Sequence, residues 1–227
     1  MVLAQRDLTT EVRRLVIQER QQLETYLEQH PEFLSTLSPW PRDPYAPPLV
    51  RDMIEAAISA GVGPMAAVAG AIAARVGQAL RAFTDEVIVE NGGDIFMHLI
   101  GPATVSLYAG RSPLSHKVGL KISPDRETWG VCTSSGTVGH SLSLGRCDLA
   151  TVVGESGALA DAVATLAGNS VQSESDIEGA LSRVMEIDGV RGVLLVKGER
   201  IGLAGNLPRL VRNRDRGLGG KVTRFPA

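Results

Sequence analysis

Three short stretches hold the residue types that do chemistry. In the first, Glu90-Asn91-Gly92-Gly93-Asp94, two carboxylates and an amide crowd beside paired glycines. The glycines let the backbone turn sharply and let a ligand approach the main chain. The stretch reads equally as a site or as a tight turn with Asn and Asp chosen for local hydrogen bonding. The second, residues 133–145, packs six hydroxyls, three glycines and His140 into thirteen positions. Glycine permits the concave backbone that aims several N–H groups at one anion, which makes Thr133, Ser134, Ser135 and Gly136 candidates for a phosphate contact. The loop matches neither GxxxxGK[ST] nor GxGxxG. The third is Asp161 with Thr165, four residues apart and therefore on one helical face, opposite Leu159, Val163 and Leu166. A carboxylate and a hydroxyl projecting together suit a hard cation such as Mg²⁺. The competing reading is an exposed polar face.

Two other chemistries draw on the same residues. Ser134 or Ser135 with His140 and an acid would make a hydrolase, but no G-x-S-x-G elbow frames either serine. Cys132, His140 and Cys147 lack the paired C-x-x-C spacing of a zinc site. With two cysteines in 227 residues, a reduced, cytoplasmic protein without a structural disulfide is expected.

The elements that must position these residues follow from composition and periodicity. Hydrophobic residues make up 44% of the chain and aromatic ones 4%, so the core must be built largely of Ala, Val, Leu and Ile. A net charge of -2 gives no global attraction to nucleic acid or to an anionic membrane. The most apolar segment, residues 62–74, is short against the roughly 20 residues that a membrane span needs. Arg6, Asp7 and Glu11 interrupt any leader-like apolar run.

Residues 10–29 read as an amphipathic helix ended by His30-Pro31, and a proline-rich loop follows. Val50, Met53, Ile54, Ala57 and Ile58 mark a second helix. After Gly61-Val62-Gly63-Pro64, a third helix over residues 65–80 carries small residues on nearly every side. That composition fits close packing on a sheet, or a cofactor lying across the helix. Strands at 104–108, 117–122 and 129–132 are expected as an antiparallel meander, and residues 149–153 as a further strand. Ser156 caps a helix over 157–167, and Ser175-Asp176-Ile177-Glu178 reads as a capping box opening another. A hairpin is expected over 192–203. Residues 207–227 hold six basic residues against one acid and read as a flexible tail. Helices and strands without strict alternation predict a single compact α+β domain spanning the chain, a mixed or antiparallel sheet with packed helices.

Asn91-Gly92-Gly93-Asp94-Ile95 resembles the Asn-x-Gly-Gly-Asp signature of the ApbE flavin transferases. Thr133-Ser134-Ser135-Gly136 resembles their Thr-Ser-Gly turn, and Ala160-Asp161-Ala162 with Thr165 their metal-site helix, in the same order along the chain. Residues 62–70, 90–94 and 132–143 are similar to an uncharacterised prokaryotic ApbE-like family. The resemblance implies Mg²⁺-dependent transfer of the FMN half of FAD to a threonine of an acceptor flavoprotein. It implies Asp161 and Thr165 as metal ligands. Asn91, Gly92, Gly93 and Asp94 would line a nucleotide cleft, with Thr133, Ser134, Ser135 and Gly136 near its phosphates and His140 as a base. A homo-oligomer is also expected. The alternatives are a non-catalytic flavin- or metabolite-binding protein that keeps the cleft, and a structural or interaction module.

Overall fold

The computed structural model describes residues 1–124, 128–136 and 144–212, and the backbone of 222–224. Five helices form: α1 (Thr9–Gln29), α2 (Pro48–Ala60), α3 (Val68–Leu80), α4 (Gly157–Asn169) and α5 (Ile177–Met185). Their ends follow from local chemistry. Pro48 starts α2 at a position where its missing N–H costs nothing, and Gly61 ends it with a left-handed φ of 69°. The Ser156 side chain accepts the Leu159 N–H at the start of α4. The capping box lies two residues earlier than expected, formed by Ser173 and Asp176. It closes a short 3₁₀ turn that leads into α5.

The strands divide between two sheets. One contains β1 (Val2–Ala4), β2 (Val87–Asn91), β3 (Asp94–His98), β6 (Trp129–Ser134), β7 (Leu149–Gly154), β8 (Val190–Lys197) and β9 (Arg200–Gly205). They lie in the order β1-β2-β3-β6-β7-β8-β9, and every pairing is antiparallel. The other holds β4 (Ala103–Ser106), β5 (Val118–Ile122), β10 (Arg209–Arg212) and β11 (Val222–Arg224), in the order β10-β5-β4-β11.

The expected meander is therefore corrected: β4 and β5 leave the large sheet, and β3 pairs directly with β6. Within the C-terminal segment, β10 and β11 pair on the two edges of the small sheet. Leu210 opposite Leu120 gives that segment an apolar anchor.

The large sheet is covered on both faces. Ile95, Met97, Val131, Val153, Leu194 and Val196 pack toward Val105, Leu120 and Ile122 of the small sheet. Cys132, Ala150, Val152, Val193 and Leu195 pack under the helices. Such strands read as near-continuous apolar runs, and β7 is buried at every position. Helix α4 lies centrally, against the sheet and against α2 and α3. Gly70 on α3 and Gly157 on α4 allow this: a Cβ on Gly70 would lie 2.3 Å from the Gly157 carbonyl oxygen. The small residues of α3 thus serve close packing, against a second helix as well as a sheet. No single helix among the described residues is long and apolar enough to cross a membrane.

Candidate functional site

Strand alternation decides which side chains meet. Asn91, Asp94, Cys132 and Ser134 sit at the register positions that face the helix layer, the same parity as Val89, Phe96 and Ala150. The Asn91–Asp94 stretch is a two-residue hairpin between β2 and β3, with Asn91 opposite Asp94. Gly92 and Gly93 take φ of 68° and 121°, the positive-φ pair that a tight hairpin of this kind requires. The turn reading is correct, and the turn also has a second role. Asn91 Nδ2 donates to the Ala69 carbonyl (3.2 Å) and so ties the hairpin to the start of α3.

From β6, the Thr133 N–H donates to Asp94 Oδ1 (3.2 Å), and its Oγ1 donates to the Gly93 carbonyl (3.1 Å). From α4, Asp161 reaches α3, where its Oδ2 accepts the Gly70 N–H (2.8 Å). The structure therefore brings Asn91, Gly93, Asp94, Thr133 and Asp161 into one neighbourhood. Asp161 is only 8% exposed and Asp94 6%, so the exposed-face reading of Asp161 is overturned. The physical reason is the small-residue composition of α4, which is buried nearly all round rather than along one stripe. Thr165 lies one turn further along the same helix and is half-buried.

The two carboxylates sense each other. Burial, then the negative charge of Asp94, pushes the Asp161 carboxyl well above the usual carboxylate range, and the Gly70 and Ala69 N–H groups oppose the shift. Cys132 lies in the same field. Burial, followed by the charges of Asp94 and Asp161, raises its thiol well above the ordinary value, and its Sγ donates to the Gly157 carbonyl (3.3 Å). Both cysteines are free. The sequence presents Cys132 only as a zinc ligand or a disulfide partner. The Gly70 N–H has no sequence signal beyond a glycine in a helix of unusually small residues.

The rest of the hydroxyl-rich stretch leads away toward β7. Ser135 Oγ donates to the Asp148 carbonyl (2.9 Å), and the Gly136 N–H donates to the Cys147 carbonyl (2.8 Å). Ser134 faces the C-terminal half of α4, since a Cβ on Gly168 would lie 3.4 Å from Ser134 Oγ. His140 lies outside the described residues.

The donor set suits a hard cation, because carboxylate and hydroxyl oxygens are what Mg²⁺ takes. Positive charge near Asp94 and Asp161 would also cancel the repulsion that raises Asp161. Among the described residues, no three of His, Cys, Asp and Glu are grouped to hold an ion by themselves. Thr165, water or a bound phosphate would have to complete the shell.

An antiparallel seven-stranded sheet between a helix layer and a smaller sheet, with paired acids under its central helix, defines an α+β protein with a buried carboxylate site. The chain belongs to the family described as AbpE bacteria, whose model matches residues 1–198. Its relatives include the UPF0280 protein of Methanococcus aeolicus, 40% identical over 206 residues, spanning 88% of this chain and 83% of that one. The UPF0280 protein of Methanosarcina barkeri is 42% identical over 195 residues, 85% of this chain and 77% of that one.

Among solved structures, the chain is similar to the ApbE protein of Thermotoga maritima, at TM-score 0.45 and 18% identity over 68% of this chain and 52% of that one. It is also similar to the flavin transferase ApbE of Vibrio cholerae, at TM-score 0.44 and 17% identity over 90% of this chain and 76% of that one. The chain thus spans about half the length of the Thermotoga protein, 52%.

Proposed function

We propose that this chain binds FAD or a related nucleotide together with Mg²⁺ at the Asn91–Asp94, Thr133 and Asp161 cluster, and transfers the FMN half to an acceptor protein. The observation that carries this reading is the convergence itself. Three stretches far apart in sequence meet through the Thr133–Asp94 hydrogen bond, across 39 residues, and the Asp94–Asp161 charge interaction, across 67. They are the three that resemble the flavin-transferase motifs.

Asp161 and Thr165 would hold the cation, with Asp94 supplying further negative charge. Mg²⁺, when bound, neutralises charge on the phosphates. The Asn91–Asp94 hairpin and Thr133 form one wall against the nucleotide, and their hydrogen bonds keep that wall rigid. His140 is the residue assigned to take the proton from the acceptor hydroxyl. The hydroxyl oxygen then bonds to the phosphorus of the FMN phosphate, the phosphoanhydride bond breaks, and AMP leaves.

A second reading, a binding protein without transfer, draws support from one observation: Asp161 is nearly sealed and already holds the Gly70 N–H. FAD binding measured with and without Mg²⁺, on the native chain and on Asp161→Asn, tests the site. Binding that requires neither Mg²⁺ nor Asp161 would refute it. AMP release with acceptor flavoproteins then separates transfer from binding.

A further inference from the structure

The large sheet ends at β9, and the outer edge of that strand pairs with none of the described residues. Lys197 and Arg200 close a two-residue hairpin through Gly198 and Glu199. They therefore form a hydrogen-bonded pair, and the pattern alternates from there. Arg200, Gly202 and Ala204 bond to β8, while the N–H and C=O groups of Ile201 and Leu203 point outward. The Asn206 N–H, which donates to the Arg191 carbonyl at 2.6 Å, keeps the same parity.

A bare edge is a template for another strand, and proteins blunt such edges with shortness, charge or proline. The other three edges among the described residues carry that protection: β1 and β11 have three residues each, and β10 begins and ends on arginine. Strand β9 has six residues. Its single charge, Arg200, sits at the hairpin end and donates to Glu178 at 2.9 Å. Ile201, Gly202, Leu203 and Ala204 follow without charge or proline.

The two faces of the strand differ. Gly202 lies under α5, where an added Cβ would sit 2.3 Å from Ile177 Cγ2. Ile201 and Leu203 lie on the opposite face, at the register positions of Val196 and Leu194. Those two partners are sealed beneath the small sheet, whereas Ile201 is 38% exposed and Leu203 44%. The small sheet thus stops short of β9 and leaves two apolar side chains overhanging the edge.

We propose that a second copy of this chain occupies this edge, its β9 running antiparallel to the first about a twofold axis at Gly202. The strand itself selects a second copy, because Ile201 and Leu203 flank Gly202 symmetrically. The twofold sets Ile201 opposite Leu203 of the second copy and Leu203 opposite Ile201 of the second copy. These are the positions whose backbone groups point outward, so both pairs close as hydrogen-bonded pairs. Their four side chains meet on one face of the seam, where cross-strand apolar pairs stabilise pairing. The contact is isologous and closed, which yields a dimer and not a fibre. It uses none of the residues of the transferase reading and stands apart from it.

The test is sedimentation equilibrium of the full chain, joined to residue-resolved amide hydrogen exchange at low and high protein concentration. A reversible monomer–dimer equilibrium is expected between about 1 and 200 µM. Dimerisation should be about tenfold or more weaker in Leu203→Lys, which sets a charge in the seam. It should weaken similarly in Leu203→Pro, which deletes one outward N–H and spares every bond to β8. Circular dichroism should show both variants folded. As concentration rises, protection should increase at the Ile201 and Leu203 amides and stay unchanged at Gly202 and Ala204, which are already bonded to β8. A chain that stays monomeric throughout this range overturns the proposal. So does a dimer that persists in both variants, or one that leaves the Ile201 and Leu203 amides open to exchange.

Discussion

Gly70→Ala should destabilise the protein although alanine is the better helix former. A Cβ at Gly70 would sit 2.3 Å from the Gly157 carbonyl oxygen and 2.7 Å from Asp161 Cβ. The first contact is with backbone, so no flexible side chain can swing aside. Restoring ordinary contact requires α3 and α4 to separate by roughly 1 Å. Overpacking of this kind costs about 1–3 kcal/mol. Moving α3 also strains the 2.8 Å bond from the Gly70 N–H to the buried Asp161, and an intramolecular hydrogen bond contributes about 0.5–1.5 kcal/mol. Against these stands a helix-propensity gain of about 1 kcal/mol. The net expectation is a loss of about 0.5–3.5 kcal/mol.

The matched control is Gly179→Ala, an exposed glycine in α5 with nothing within 4 Å of the added Cβ. There only the propensity and unfolded-state effects remain, and the change should stabilise by about 0.5–1 kcal/mol. Urea unfolding of the two variants beside the native chain, with equal m-values, reads both numbers. A Gly70→Ala protein as stable as the native chain would show that the α3–α4 contact is not close-packed, and the account of how Asp161 is held would fall with it.

Two further predictions concern titratable groups in the core. The folded-state pKa of Asp161 is raised above its unfolded value, so its contribution to stability is fully present below about pH 4 and is lost as pH rises through the folded value. Asp161→Asn, measured against the native chain across that range without added Mg²⁺, should therefore become relatively more stable as pH increases from about 4; a stability difference that stays flat with pH would contradict the burial and charge coupling assigned to Asp161. The cysteines should be silent to a thiol reagent in the folded protein, because both are fully buried. Cys132 is raised well above its ordinary value and Cys147 to about 11. Ellman's reagent should label neither thiol before unfolding and both in denaturant, and rapid labelling of the native chain would disprove the packing of α4 on β6.

The motifs could be read because their chemistry is local. Paired glycines flanked by Asn and Asp mark a hairpin turn whatever surrounds it, and the i, i+3, i+4 spacing of Val50, Met53 and Ile54 marks α2. Periodicity places Asp161 opposite the face of Leu159, Val163 and Leu166, and by itself does not separate a cation site from a solvated polar face. A helix rich in Ala and Gly can be buried on every side, and its polar residues then face other elements. The small-residue pattern that correctly predicted close packing for α3 is present in α4 as well.

The sequence by itself determined the helices, most strands, the Asn91–Asp94 turn and the identity of the residues able to do chemistry, because each depends on neighbours within a few positions. Tertiary structure alone decided that β3 would pair with β6 and skip β4 and β5, since pairing is chosen among strands with equally apolar faces. The same holds for the basic C-terminal segment, where Leu210 meets Leu120 only after the chain has returned from β9. It holds above all for Asp161. The small residues of α4 permit burial on any side, but whether its carboxylate meets water or Gly70 and Asp94 depends on how α3 crosses α4, a contact 91 residues apart in the chain.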